Sequence, residues 1–242
     1  MHPRIWTSTL LASAAALAAA AGMTKPPAPA FTDDFDFDQC GMLMPDGGNQ
    51  FFSLQPGHFL RLEGEDDGEE LVVEITVLGH IRPIVFQEDG QWIMAIARVI
   101  EEREWADGEL VEVSRNFFAF CPTTGDVVYL GEEVDDYEDG VIVGHGGAWL
   151  AGEDGALPGL IMPGRYLLGS RYFQEFAPDV ALDRAEHVES GLTIETPAGV
   201  FHDCVRIVET SPLEPRSESI KIYAPGVGLI FDDGIELVEF DP

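Results

Sequence analysis

The residues with the most chemical content are Gln174-Glu175 and, shortly after, Asp183-Arg184-Ala185-Glu186-His187. On a helix, Glu175, Asp179, Asp183 and Glu186 would share a face; on a strand, Arg184 and Glu186 share one face and Asp183 and His187 the other. Either arrangement gathers several carboxylates near one arginine. The simplest use of such a set is a salt-bridge network that ties a wall together around Arg184. A calcium site would take its oxygens from Glu175, Asp183 and Glu186. A hydrolase would use a carboxylate pair, including Glu186, as acid and base in a cleft. Glu214 stands between two prolines in Ser211-Pro212-Leu213-Glu214-Pro215, either on a stiff connector or presented at the mouth of a barrel. Trp149 ends the glycine-rich run Gly144 to Ala148. That run superficially resembles an esterase oxyanion loop, but no Gly-x-Ser-x-Gly elbow accompanies it, and it reads as a turn that docks Trp149 into the core. The ligand-binding candidates are therefore Trp149, Glu175, Arg184, Glu186 and Glu214.

Other motifs carry less. The glycine-rich run lacks the lysine and spacing of a phosphate loop, and the histidines are scattered singly with no His-Glu-x-x-His. Asp34, Asp36 and Asp38 mimic the start of a calcium loop, but Gln39 stands where its glycine belongs and Pro45 where its glutamate belongs. Three cysteines permit one disulfide, and Cys40 with Cys121 is the expected pair. Cys204 sits in a regular alternating run and reads as a buried apolar residue. The net charge of −31 argues against nucleic acid and anionic lipid surfaces, since both repel it. It fits a solvated acidic surface, or recruitment of divalent cations or a cationic partner. Lysine is confined to Lys25 and Lys221.

The elements that position these groups centre on Thr196 to Phe231. Val205 and Ile207 alternate with Arg206, and Ile220 and Ile222 alternate with Ser219 and Lys221, the period of half-buried strands. Pro225-Gly226 supplies a turn. Asp107-Gly108, Glu138-Asp139-Gly140 and Asp232-Asp233-Gly234 recur between short alternating runs as hairpin signals. Pro83 marks Ile81 to Phe86 as an edge strand or an irregular passage. Trp92 to Ile100 is continuously apolar, a buried strand or a helix, with strand favoured by its β-rich neighbours, and Pro178 to Ser190 reads as a strand or a short amphipathic helix. The expectation is a mainly β chain, an antiparallel meander of about ten strands forming a barrel or a strongly curved sheet. Residues 1–21 read as a signal peptide, 22–46 as a flexible acidic segment and 47–242 as a single β domain. No later segment is apolar enough to span a bilayer as a helix.

Several stretches resemble an uncharacterised group of secreted bacterial β-proteins. They are Trp149 to Gly152, Ala156 to Pro163, Asp183 to Glu186, Ser211 to Pro215 and Tyr223 to Ile230. The Ala-Gly-x-Phe-x-x-Cys strand (Ala198 to Cys204) and the Ala-Pro-Gly-Val-Gly-Leu turn (Ala224 to Leu229) are also similar to segments of open-barrel envelope proteins. That group has no known activity, so the resemblance implies architecture and export only. The expected function is non-enzymatic binding of a small or extended ligand by a soluble exported protein, periplasmic or extracellular. A small molecule, a lipid or a cationic ligand would be the partner, with calcium the one cofactor in view.

Overall fold

The computed structural model describes residues 30–66, 68–88 and 90–242; the expected signal peptide and residues 22–29 lie outside them. After a 3-10 turn at Phe37–Cys40 come β1 (Gly48–Asn49), β2 (Phe52–Ser53), β3 (Phe59–Asp66), β4 (Glu69–Glu88), β5 (Gln91–Ala106), β6 (Glu109–Phe120), β7 (Val127–Glu138) and β8 (Val141–Gly144). Short pieces follow, β9 (Trp149–Leu150), β10 (Gly159–Met162) and β11 (Arg171–Phe173). The chain ends with β12 (Arg184–Thr196), β13 (Gly199–Thr210), β14 (Glu218–Ala224), β15 (Gly228–Asp232) and β16 (Ile235–Asp241). No α-helix occurs among the described residues, so none is long and apolar enough to cross a membrane.

Asp-Gly pairs turn the chain because type I′ hairpins need two successive residues with positive φ. Asp107 (φ 49°) and Gly108 (φ 80°) join β5 to β6, and Asp139 (φ 52°) and Gly140 (φ 73°) join β7 to β8. The result is one antiparallel 14-stranded sheet in the order β10-β7-β6-β5-β4-β3-β16-β15-β14-β13-β12-β11, with β8 and β9 also on β7. Strands outnumber the expected ten because β8 to β11 are two to four residues long, too short to show a period in sequence. Pro83 lies where β4 has left β3, whose pairing ends at Thr76, and only β5 flanks it. No ladder hydrogen bond is asked of it on the open side. The Pro178 to Ser190 stretch resolves into a turn at 178–180 followed by β12 from Arg184.

Laid flat, the twelve strands of the main path would put β10 and β11 on the order of 50 Å apart. Instead they approach each other, so the sheet curves. Its ladder does not close into a continuous ring among the described residues. The two ends meet through one bridge, the Leu157 amide donating to the Phe176 carbonyl at 2.8 Å. A Cβ at Gly159 would fall 2.0 Å from the Gln174 carbonyl oxygen, so only glycine permits this approach.

Residues 30–46, expected to be mobile, pack onto the sheet. Leu43 bridges Ala95, Met44 bridges Phe120, and Phe37 and Leu43 are buried. A disulfide joins Cys40 to Cys121, whereas Cys204 is free and buried. The aspartates that made this stretch look like a tail are interleaved with phenylalanines, and Phe37 stands edge-on to Phe86 at 6.3 Å. The main core lies against this segment, and a second cluster forms around Leu62, Cys204, Ile230 and Leu237.

Candidate functional site

The pleat of the strands puts the acids inside. Along β5, Ile100, Glu102 and Glu104 share a face; along β6 it is Phe118, Asn116, Ser114 and Glu112. These faces begin apolar and end acidic. A cavity of about 180 Å³ opens over the apolar end, floored by Phe51, Phe52, Leu60, Ile75, Val77 and Phe118. Glu175, Asp183 and Glu209 line it and also line a second cavity of about 490 Å³. Glu112, Glu132 and Glu214 complete the acidic wall of this outer cavity. Among the described residues, Lys221 is the only lysine or arginine lining either cavity.

Lys221 Nζ stands 3.1 Å from Glu209 Oε2 and 3.5 Å from Asp232 Oδ2. Gln174 Nε2 donates to Glu209 Oε1 at 2.7 Å. The Tyr129 hydroxyl, with one hydrogen to donate, lies within hydrogen-bond distance of both Asn116 Oδ1 and, at 3.1 Å, Glu132 Oε2. Burial works against the ammonium of Lys221, but Asp232, Glu209 and Glu102 outweigh it and hold its pKa well above the usual range.

One cation cannot balance so many acids. Burial, reinforced by Glu104, pushes Glu102 up to about 8 against the pull of Lys221. Burial also raises Glu112 and Glu132 to about 7 each. Glu175 rises well above the carboxylate range through burial and then through Glu132, Asp183 and Glu209. Burial lifts Glu104, Asp183 and Asp232 as well. The Lys221 side chain nevertheless keeps 27% of its surface accessible and Asp232 26%, so water within the cavity tempers the desolvation.

These shifts set the pH dependence of stability. The stabilisation from the raised carboxyls is fully present below about 4.5, where the unfolded chain is protonated too, and is lost as pH rises through about 7 to 8. His187 acts in the opposite sense. It is buried, stacked on Tyr166 at 3.9 Å and 2.9 Å from the Tyr172 hydroxyl. Burial lowers it to about 4 from 6.5, so its contribution is lost as pH falls through that window. Each carboxyl that retains one unit of its shift is worth about 1.4 kcal/mol, or about 3–6 °C in melting temperature at this size. The melting temperature, followed at constant ionic strength, is expected to peak at mildly acidic pH and fall by several degrees toward pH about 8.5. A steady climb from pH 5 upward would contradict the shifts.

The structure divides the expected site residues. Glu175 and Asp183 face the chambers, and Glu214 lines the outer one from its two-proline loop. Arg184 and Glu186 lie on the other face of β12 from Ala185 and His187, both buried. The Arg184 guanidinium sits 4.4 Å over the Phe31 ring and donates to Thr210 Oγ1 at 3.3 Å, while Glu186 pairs with Arg171. The salt-bridge network expected around Arg184 is thus replaced by a ring contact and a neighbouring pair. Trp149 is buried edge-on to Tyr129 at 5.3 Å and borders a separate cavity of about 300 Å³. With Glu186 turned away, the calcium trio Glu175, Asp183 and Glu186 does not assemble. No three acidic, histidine or cysteine side chains among the described residues are grouped to hold a metal ion. The hydrolase pair built on Glu186 loses its cleft for the same reason.

The sequence reading missed Glu102, Glu104, Glu112, Glu132, Glu209, Lys221 and Asp232. The available signal was the continuation of apolar faces by acids at two-residue spacing, as in Ile100-x-Glu102-x-Glu104 and Ile207-x-Glu209. The chain matches no family model, no curated protein and no solved structure, so the chamber itself is the ground for a functional reading.

Proposed function

We propose that the protein is an exported, non-enzymatic binder of small amphipathic molecules, its curved sheet serving as a barrel around them. The observation that carries this is the pair of cavities that share Glu175, Asp183 and Glu209, one apolar within and one acidic without. Together they reach the size at which small-ligand sites operate, an apolar body with a few placed polar groups. The resemblance to secreted β-proteins supports export, and the bond between Cys40 and Cys121 suits an oxidising compartment.

The neutral fluorophore N-phenyl-1-naphthylamine is expected to brighten on binding the wild-type chain. Ile75→Trp, which fills the apolar chamber, is expected to abolish the signal while the protein still melts cooperatively. No brightening with the wild type, or equal brightening with the filled variant, would remove the chamber from the function. A calcium titration against a magnesium control completes the experiment: a calcium-specific rise in melting temperature would favour a metal role for Glu175 and Asp183 instead.

A further inference from the structure

The polar atoms facing the chambers are unbalanced in kind. Lys221 is already matched by Glu209 and Asp232, which leaves Glu175, Asp183, Glu132 and Glu112 with no cation of their own among the described residues of the lining. Independently of these acids, Gln174 is 2% exposed and lines the inner chamber, yet its Oε1 has no hydrogen-bond partner. Its amide orientation is set by the bond from Nε2 to Glu209, so the orphan atom is the acceptor. A buried acceptor left unpaired costs about 1–3 kcal/mol, and buried polar groups in folded proteins are overwhelmingly paired. The unmet demand is for N–H donors with positive charge, beside an apolar floor.

Taking the chamber as the ligand site, we propose that its ligand is a primary organic ammonium ion with an apolar body. Its N–H groups meet Gln174 Oε1, Glu175 and Asp183, and its chain lies along Phe52, Ile75, Val77 and Phe118. A primary ammonium has three donors and no acceptor, which fits Gln174 Oε1 together with the carboxylates that Glu175 and Asp183 present once the cation favours their ionised forms. A quaternary ammonium supplies the charge without the N–H groups. A carboxylate head meets only like charge. The cation also relieves the repulsion that raises Glu175, Glu132 and Asp183.

The test is displacement of N-phenyl-1-naphthylamine from the wild-type chain at pH 7.5 by four eight-carbon competitors. Octylammonium is expected to displace about tenfold or more better than octanol, through charge-assisted hydrogen bonds. Octyltrimethylammonium should fall between them, and octanoate should be weakest. Glu175→Gln and Asp183→Asn, each removing a carboxyl that would ionise against the bound ammonium, are each expected to weaken octylammonium about five- to tenfold and leave octanol unchanged. Equal displacement by octylammonium and octanol, or an octylammonium affinity indifferent to both substitutions, would overturn the cation assignment while leaving the chamber as a site. Octyltrimethylammonium matching octylammonium would overturn the N–H contacts. Failure of the fluorophore itself to bind would instead overturn the reading of the chamber on which the assignment rests.

Discussion

Lys221→Met is expected to lower stability at pH 7.5 by about 3–5 kcal/mol, because it strands Glu209 and Asp232 beside the other enclosed acids. At this chain length that corresponds to a fall of about 10 °C in melting temperature. The loss should shrink on acidification, since the stranded carboxyls then take up protons and no longer need a cation. The sign follows from the raised pKa of Asp232, where burial favours the neutral acid and Lys221 has been opposing it. A triple variant, Lys221→Met with Glu209→Gln and Asp232→Asn, should recover most of the loss, because the whole charged set is replaced by neutral groups. A single variant that melts within about 2 °C of wild type at pH 7.5 would show that Lys221 does not balance the acids.

Removal of the disulfide is the second large effect. Cys40 and Cys121 are 81 residues apart in sequence, so the bond closes a long loop in the unfolded chain. Its loss is expected to cost about 2–5 kcal/mol. Cys40→Ala with Cys121→Ala should melt well below wild type. Limited proteolysis of that variant should begin in residues 30–46, whose hold on the sheet otherwise rests on Phe37 and Leu43, on isolated bridges at Thr32, Leu43 and Met44, and on the pair of Asp46 with Arg98. Thiol counting supplies an internal check. Cys204 is buried and its thiol pKa is raised by burial, so it should react only on unfolding. Equal melting of variant and wild type would show that the crosslink does not restrain the chain.

The turns were legible in the sequence because positive φ at two successive positions narrows the choice to residues such as Asp and Gly, and Asp107-Gly108 and Asp139-Gly140 announce themselves. The cysteine pairing was legible because Cys204 belongs to a regular strand. The chamber was hidden for a physical reason. In Ile100-Glu101-Glu102-Arg103-Glu104 every position after the isoleucine is charged, so polarity does not tell the inner face from the outer. Lys221 alternates with Ile220 and Ile222, a pattern that by itself places it opposite a buried face. In the fold both faces of β14 are occupied, Ile222 in the second core cluster and Lys221 in the chamber. Glu175 and Asp183 were visible as candidates. The choice between helix and strand decided the fate of Glu186: the turn at 178–180 stands between it and Glu175, and the alternation of the extended run turns it away from Asp183.

The meeting of β10 with β11 has a consequence for local opening. Leu157 and Phe176 form a clasp of one peptide hydrogen bond, worth about 1 kcal/mol net, whereas parting β4 from β5 would break a ladder that runs from Leu71 to Glu88. The Leu157 amide is therefore expected to exchange its hydrogen with solvent faster than the paired amides of β4 and β5.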